Sequence, residues 1–249
     1  MTDSLVADTI RIRGANGDDI EAYLVQPSTD TKRGGVVVIH HMPGYDRASK
    51  EIVRRFAELG YDAICPNLHY REAPGAAPDD ASAVVRAQGG VPDERLVGDV
   101  AGAAAYLRSL PLSNGKVGVI GYCSGGRQAV LAACSLDVDA AVDCYGAFVT
   151  GTPPEGWPLR VTNLVDQLPG LRCPLLGLFG AEDKTPSPAH VAELSAILTE
   201  HGKQFELHSY QDAGHGFFAV DRPSYRVAAA NDGWVKVAEF FDRTLGQGA

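Results

Sequence analysis

The stretch Lys116-Val-Gly-Val-Ile-Gly-Tyr-Cys-Ser-Gly-Gly126 changes its pattern halfway along. Its first half is an apolar run that ends in glycine, which is the signature of a buried strand. Its second half opens the segment Ser124 to Cys134, whose apolar residues fall at helical spacing. Between the two lies Gly121-Tyr-Cys123-Ser-Gly125, with glycine at both positions two residues from the cysteine. A tight strand-to-helix turn needs small residues at those two places, because side chains there would collide with neighbouring backbone. Such a turn would hold Cys123 in a strained conformation with its thiol at a helix N-terminus, where the macrodipole favours a thiolate. The alternative is an ordinary turn around a small, inert, buried cysteine.

Working outward, strand and helix patterns alternate. Thr9–Arg13 and Glu21–Val25 read as a hairpin around Asn16-Gly17-Asp18. Gly35–His40 is a β-branched run typical of a strand buried on both faces. Ser49–Leu59 reads as a helix stopped by Gly60, and Tyr61–Cys65 as a strand ended by Pro66. Asn67 to Val91 is rich in Ala, Pro, Gly and Asp and suits a cap-like connection with one short helix. Further helices are expected at Pro92–Leu110, Pro188–His201 and Ser224–Leu245, and further strands at Val138–Cys144, Pro174–Phe179 and Gln204–Tyr210. This alternation predicts one α/β domain over residues 1–249, a mostly parallel sheet with helices on both faces. Functional side chains are then expected in loops at the carboxyl ends of strands.

Composition narrows the classes. The net charge is −9 and no basic cluster marks a nucleic-acid footprint. No apolar run is long enough to span a membrane, and the N-terminal residues do not form a signal peptide. The five cysteines, Cys65, Cys123, Cys134, Cys144 and Cys173, include no CxxC pair. Their odd number suits a reducing, cytoplasmic setting rather than a disulfide framework, and argues against structural zinc. No metal, cofactor, nucleic acid or membrane partner is expected, and the chain reads as a monomer.

A thiol nucleophile needs a base, and the base needs an orienting acid. On sheets of this kind the acid and then the base follow the nucleophile along the chain. The Leu175–Gly180 strand is followed by Glu182 and Asp183, and the strand ending at Tyr210 by His215 in a Gly-flanked loop. Asp183 is preferred over Glu182 from its distance beyond Gly180. Of the seven histidines, His40, His41, His69 and His215 lie near strand ends. His40 and His41 would point to opposite faces of an extended strand, so they are not expected to share one metal ion.

These motifs, GYCSGG, Gly180-Ala-Glu-Asp183 and Ala213-Gly-His215-Gly-Phe, together with Gly60–Arg71 and Cys144-Tyr145-Gly146, resemble the dienelactone hydrolase (carboxymethylenebutenolidase-like) family of α/β-hydrolases over nearly the whole chain. The resemblance implies an α/β-hydrolase fold and a catalytic triad of Cys123, Asp183 and His215. It also implies an oxyanion hole from the amides of Met42 and Ser124. The implied substrate is a small ester or lactone, hydrolysed through a thioester without a cofactor, with His41, Arg71 and Tyr145 against the substrate. Two positions differ from the family pattern. His40-His41 stands where Gln-Glu is usual, and Ala219 stands where a second carboxylate-gripping arginine is usual. A noncatalytic binding protein or a thiol redox sensor on the same fold is the competing expectation.

Overall fold

The computed structural model describes residues 4–246; residues 1–3 and 247–249, the ends of the expected 1–249 domain, lie outside the described residues. Eight strands form one sheet: β1 (Leu5–Arg13), β2 (Asp19–Pro27), β3 (Arg33–Ile39), β4 (Asp62–Pro66), β5 (Ser113–Tyr122), β6 (Ala140–Cys144), β7 (Leu175–Gly180) and β8 (Phe205–Tyr210). Their spatial order is β1-β2-β4-β3-β5-β6-β7-β8. The β1–β2 hairpin and its β2–β4 junction are antiparallel, and the remaining pairs are parallel. Helices α1 (Arg47–Glu58), α2 (Pro78–Ala87), α3 (Asp93–Ser109), α4 (Ser124–Ser135), α5 (Pro188–Glu200) and α6 (Val227–Leu245) complete the fold.

The all-apolar character of β3 has a simple cause. Val37 and Ile39 pack into a core with Leu96, Val100 and Leu107 of α3 and Val130 of α4. Val36 and Val38 face the other way, into a core with Val53 and Phe56 of α1 and Trp234 and Phe241 of α6. Successive strand residues point to opposite faces, so a central strand covered on both sides must be apolar at every position. Two helix starts differ from the expectation by two residues or more. Helix α1 begins before Ser49 because Asp46 caps it, its Oδ1 accepting the Ser49 amide at 2.8 Å. Helix α6 begins after Ser224, whose hydroxyl donates instead to the Gly216 carbonyl at 3.2 Å.

A buried ion pair ties the hairpin to the helical layer. Asp99 of α3 is fully buried, and its Oδ1 accepts the Ala15 amide at 2.8 Å. Arg71 donates to both Asp99 oxygens at 2.8 and 2.9 Å and, through Nε, to Asp18 Oδ2 at 2.8 Å. The guanidinium that the resemblance sets against a substrate makes these carboxylate hydrogen bonds in the structure. Arg71 sits beside the β1–β2 turn because a buried carboxylate there demands a bidentate partner. Asp99→Ala is expected to lower the unfolding free energy by about 1–3 kcal/mol, since it leaves the Ala15 amide without its acceptor and half-buried Arg71 with only exposed Asp18 as a carboxylate partner. Urea unfolding measures this, and a loss under about 1 kcal/mol, the range of exposed pairs, would contradict it.

Candidate functional site

Cys123 sits between β5 and α4 with φ 56° and ψ −121°, a backbone conformation that costs a non-glycine residue about 1–3 kcal/mol. The neighbouring glycines explain how the chain accommodates it. A Cβ on Gly121 would come within 1.9 Å of the Gly125 carbonyl oxygen, and one on Gly125 within 2.3 Å of the Ile39 carbonyl oxygen. The turn is held by the Cys123 amide donating to Cys144 O and the Gly126 amide donating to Cys123 O, each at 3.0 Å. Ser124 is the first residue of α4, so its N–H has no acceptor within the helix. Met42, Cys123 and Ser124 line one cavity of about 280 Å³.

The loop after β8 brings His215 to the loop after β7. His215 Nδ1 lies 2.8 Å from Asp183 Oδ2, and Asp183 Oδ1 accepts the Thr185 amide at 2.9 Å. Asp183 is buried, whereas Glu182 is exposed, so Asp183 is the acid that meets the imidazole. Burial alone would push the His215 pKa down. The Asp183 hydrogen bond and the influence of the Cys123 side chain outweigh it and push the value up to about 10. The other strand-end histidines are electrostatically different. His40 is buried, with Nδ1 donating to the His41 carbonyl at 2.8 Å and Nε2 accepting the Leu68 amide at 3.2 Å. Desolvation pushes it down to about 3. His69, edge-on to His40 with centroids 4.8 Å apart, is pushed down to about 4 by burial.

His41 Nε2 pairs with Asp46 Oδ2 at 2.7 Å, and its side chain lines a second, larger cavity of about 610 Å³. Burial works against the Asp46 carboxylate, but hydrogen bonds from His41 and Ser49 prevail and hold it down at about 2. Tyr145, with φ 46°, is buried and meets the His215 ring edge-on at 5.1 Å between centroids. It lines the larger cavity too, whereas Arg71 lines neither. Sequence reasoning missed Asp143, a carboxyl fully buried in β6 beneath the site. Its Oδ1 accepts the Gly146 amide at 2.7 Å, and burial pushes its pKa up to about 7. A lone acid inside the apolar run Ala140-Ala-Val-Asp-Cys144 was the available signal. Among the described residues no cluster of three or more His, Cys, Asp or Glu could hold a metal, and no helix is long and apolar enough to cross a membrane.

Residues 20–245 match the sequence profile of the Dienelactone hydrolase family. The chain belongs to the dienelactone hydrolase family. A Pseudomonas putida carboxymethylenebutenolidase is 29% identical, over 91% of this chain and 92% of its own. A "Putative carboxymethylenebutenolidase" of Escherichia coli K12 is 32% identical, over 98% and 90%. Among solved structures, "Putative Dienelactone Hydrolase from Klebsiella pneumoniae subsp. pneumoniae MGH 78578" superposes with a TM-score of 0.85 at 26% identity, covering 97% of this chain and all of that one. This dienelactone hydrolase family member has the α/β-hydrolase fold and is a hydrolytic enzyme.

The raised His215 pKa carries a stability signature. The folded value, about 10, exceeds the ordinary 6.5, so the stabilisation is fully present below pH 6.5 and is lost as pH rises toward 10. Asp183→Asn is expected to bring the His215 titration back toward 6.5 and to flatten the fall in melting temperature between pH 6.5 and 10. Proton NMR of the imidazole and thermal unfolding across that range measure both. An unmoved titration in the variant would contradict the assigned cause.

Proposed function

We propose that this protein hydrolyses a carboxylic ester or lactone, with Cys123 as nucleophile, His215 as proton carrier, Asp183 as its orienting acid, and the Met42 and Ser124 amides as the oxyanion hole. The observation that carries the reading is the strained Cys123 turn, with an imidazole anchored on buried Asp183 whose pKa the Cys123 side chain helps to raise. Family membership supports the reaction class, and the P. putida relative carries the name carboxymethylenebutenolidase.

The chemistry follows from the geometry. With its proton already resting on His215, whose raised pKa keeps it there, Cys123 Sγ attacks the carbonyl carbon and forms a C–S bond. The oxygen becomes an oxyanion, which the two amides would stabilise by about 3 kcal/mol each. The C–O bond then breaks, and its electron pair leaves with the alcohol oxygen, which takes the proton from the imidazolium. Water attacks the thioester, passing a proton to His215. The C–S bond breaks, and the acid departs as the sulfur is released. Asp183 keeps Nδ1 occupied, so that Nε2 is the nitrogen that exchanges protons. Tyr145 and His41 border the substrate space.

Cys123→Ala is expected to abolish turnover of p-nitrophenyl acetate, and His215→Ala to lower kcat by about 10²–10⁴. Steady-state kinetics on purified, folded variants decide this. Retained turnover in Cys123→Ala would sink the assignment.

A further inference from the structure

The larger cavity in this part of the molecule is not the one that holds the sulfur. Cys123 and Ser124 open into the cavity of about 280 Å³, together with Phe148 and Trp157. The cavity of about 610 Å³ shares no wall residue with it, His41 lining the larger and Met42 the smaller, and has Tyr122, Tyr145, Phe218 and Trp234 on its wall. The geometry points to a divided substrate site: the acid half of an ester occupies the Trp157 cavity, the alcohol half occupies the Trp234 cavity, and both halves are apolar or aromatic.

The assignment of halves follows from where the bonds form and break, and so rests on the thioester reading above. The acyl group becomes bonded to Cys123 Sγ, so it must occupy the cavity that contains the sulfur. The alcohol oxygen takes its proton from His215, so the alcohol must leave on the imidazole side. The larger cavity borders that side through Tyr145 and the loop beyond His215. Tyr145, in ring contact with His215, forms part of its wall, and Phe218 to Asp221, on the same loop just beyond His215, close it.

Each cavity has one tryptophan on its wall. Trp157 is 42% exposed at the mouth of the smaller one, braced edge-on against Phe148 with centroids 5.2 Å apart. An indole left open to water beside a nucleophile is a surface on which an apolar acyl group gains by covering it. Trp234 is fixed from behind by Phe56 at 5.4 Å and Phe218 at 6.0 Å, with the Arg55 guanidinium 4.0 Å over its ring. The chain has only these two tryptophans. Each half of the substrate therefore has its own built-in fluorophore.

Trp234→Phe leaves only Trp157, and Trp157→Phe leaves only Trp234. Both proteins are titrated with phenylacetate and with benzyl alcohol, the two halves of benzyl phenylacetate. Phenylacetate is expected to bind about tenfold more tightly than benzyl alcohol when read on Trp157, and the order to reverse on Trp234. A kinetic measurement avoids replacing the buried indole. Trp157→Ala is expected to lower kcat/KM about tenfold for ethyl phenylacetate but less than about twofold for benzyl acetate. The division is overturned if either indole responds equally to both halves, if the order is reversed, or if Trp157→Ala affects both esters alike. Single-tryptophan variants that sort the two halves, beside wild type that leaves benzyl phenylacetate intact, would sink the thioester reading and leave the division standing.

Discussion

The close approach of three backbones around Cys123 is the constraint on which the site depends. The end of β3, the end of β5 and the first turn of α4 come so near one another that a Cβ at Gly121 or Gly125 would lie inside the van der Waals shell of a carbonyl oxygen. Only with both side chains absent can the chain reverse from strand to helix within one residue. That residue takes the strain, and its side chain is pushed out of the turn at the helix N-terminus. The sheet provides the rigid reference for this. Two apolar cores clamp β3 and β5 from both faces, so the geometry at their carboxyl ends does not relax.

Electrostatics then sort the polar residues that the strand ends bring together. Three histidines gather on the first half of the sheet, but burial holds His40 and His69 neutral, and His41 is paired with the carboxylate that caps α1. His215 alone among the four is hydrogen-bonded to a buried carboxylate, and the Cys123 side chain adds to the rise of its pKa. The replacement of the family's usual Gln-Glu by His40-His41 thus has a structural counterpart. His40 uses both ring nitrogens to bind backbone, and His41 turns away toward Asp46, on the side of the larger cavity.

Much of this was legible in the sequence, because it rests on local rules. The glycines flanking Cys123, the β-branched run at β3 and the positions of Asp183 and His215 after their strands can all be read without knowing what packs against what. Arg71 could not be read in this way. Its partner Asp99 is distant in sequence, and nothing local distinguishes a guanidinium bound for a substrate from one bound for a buried carboxylate. Asp143 was hidden for the same reason, since its role comes from the Gly146 amide above it and the sheet around it. The two cavities are built from segments that meet only in the folded chain: the turns before α1 and after His215 for one, the end of α2 and the Trp157 loop for the other.

The central claim is that the acyl group passes through Cys123, and chemical trapping tests it most directly. Wild-type protein mixed with p-nitrophenyl acetate, quenched in acid during turnover and digested, should yield one acetylated peptide. The acetyl group should lie on Cys123 and be removed by neutral hydroxylamine, as a thioester is. Turnover with no acyl group on Cys123, or with the label on Ser124 instead, would contradict the account.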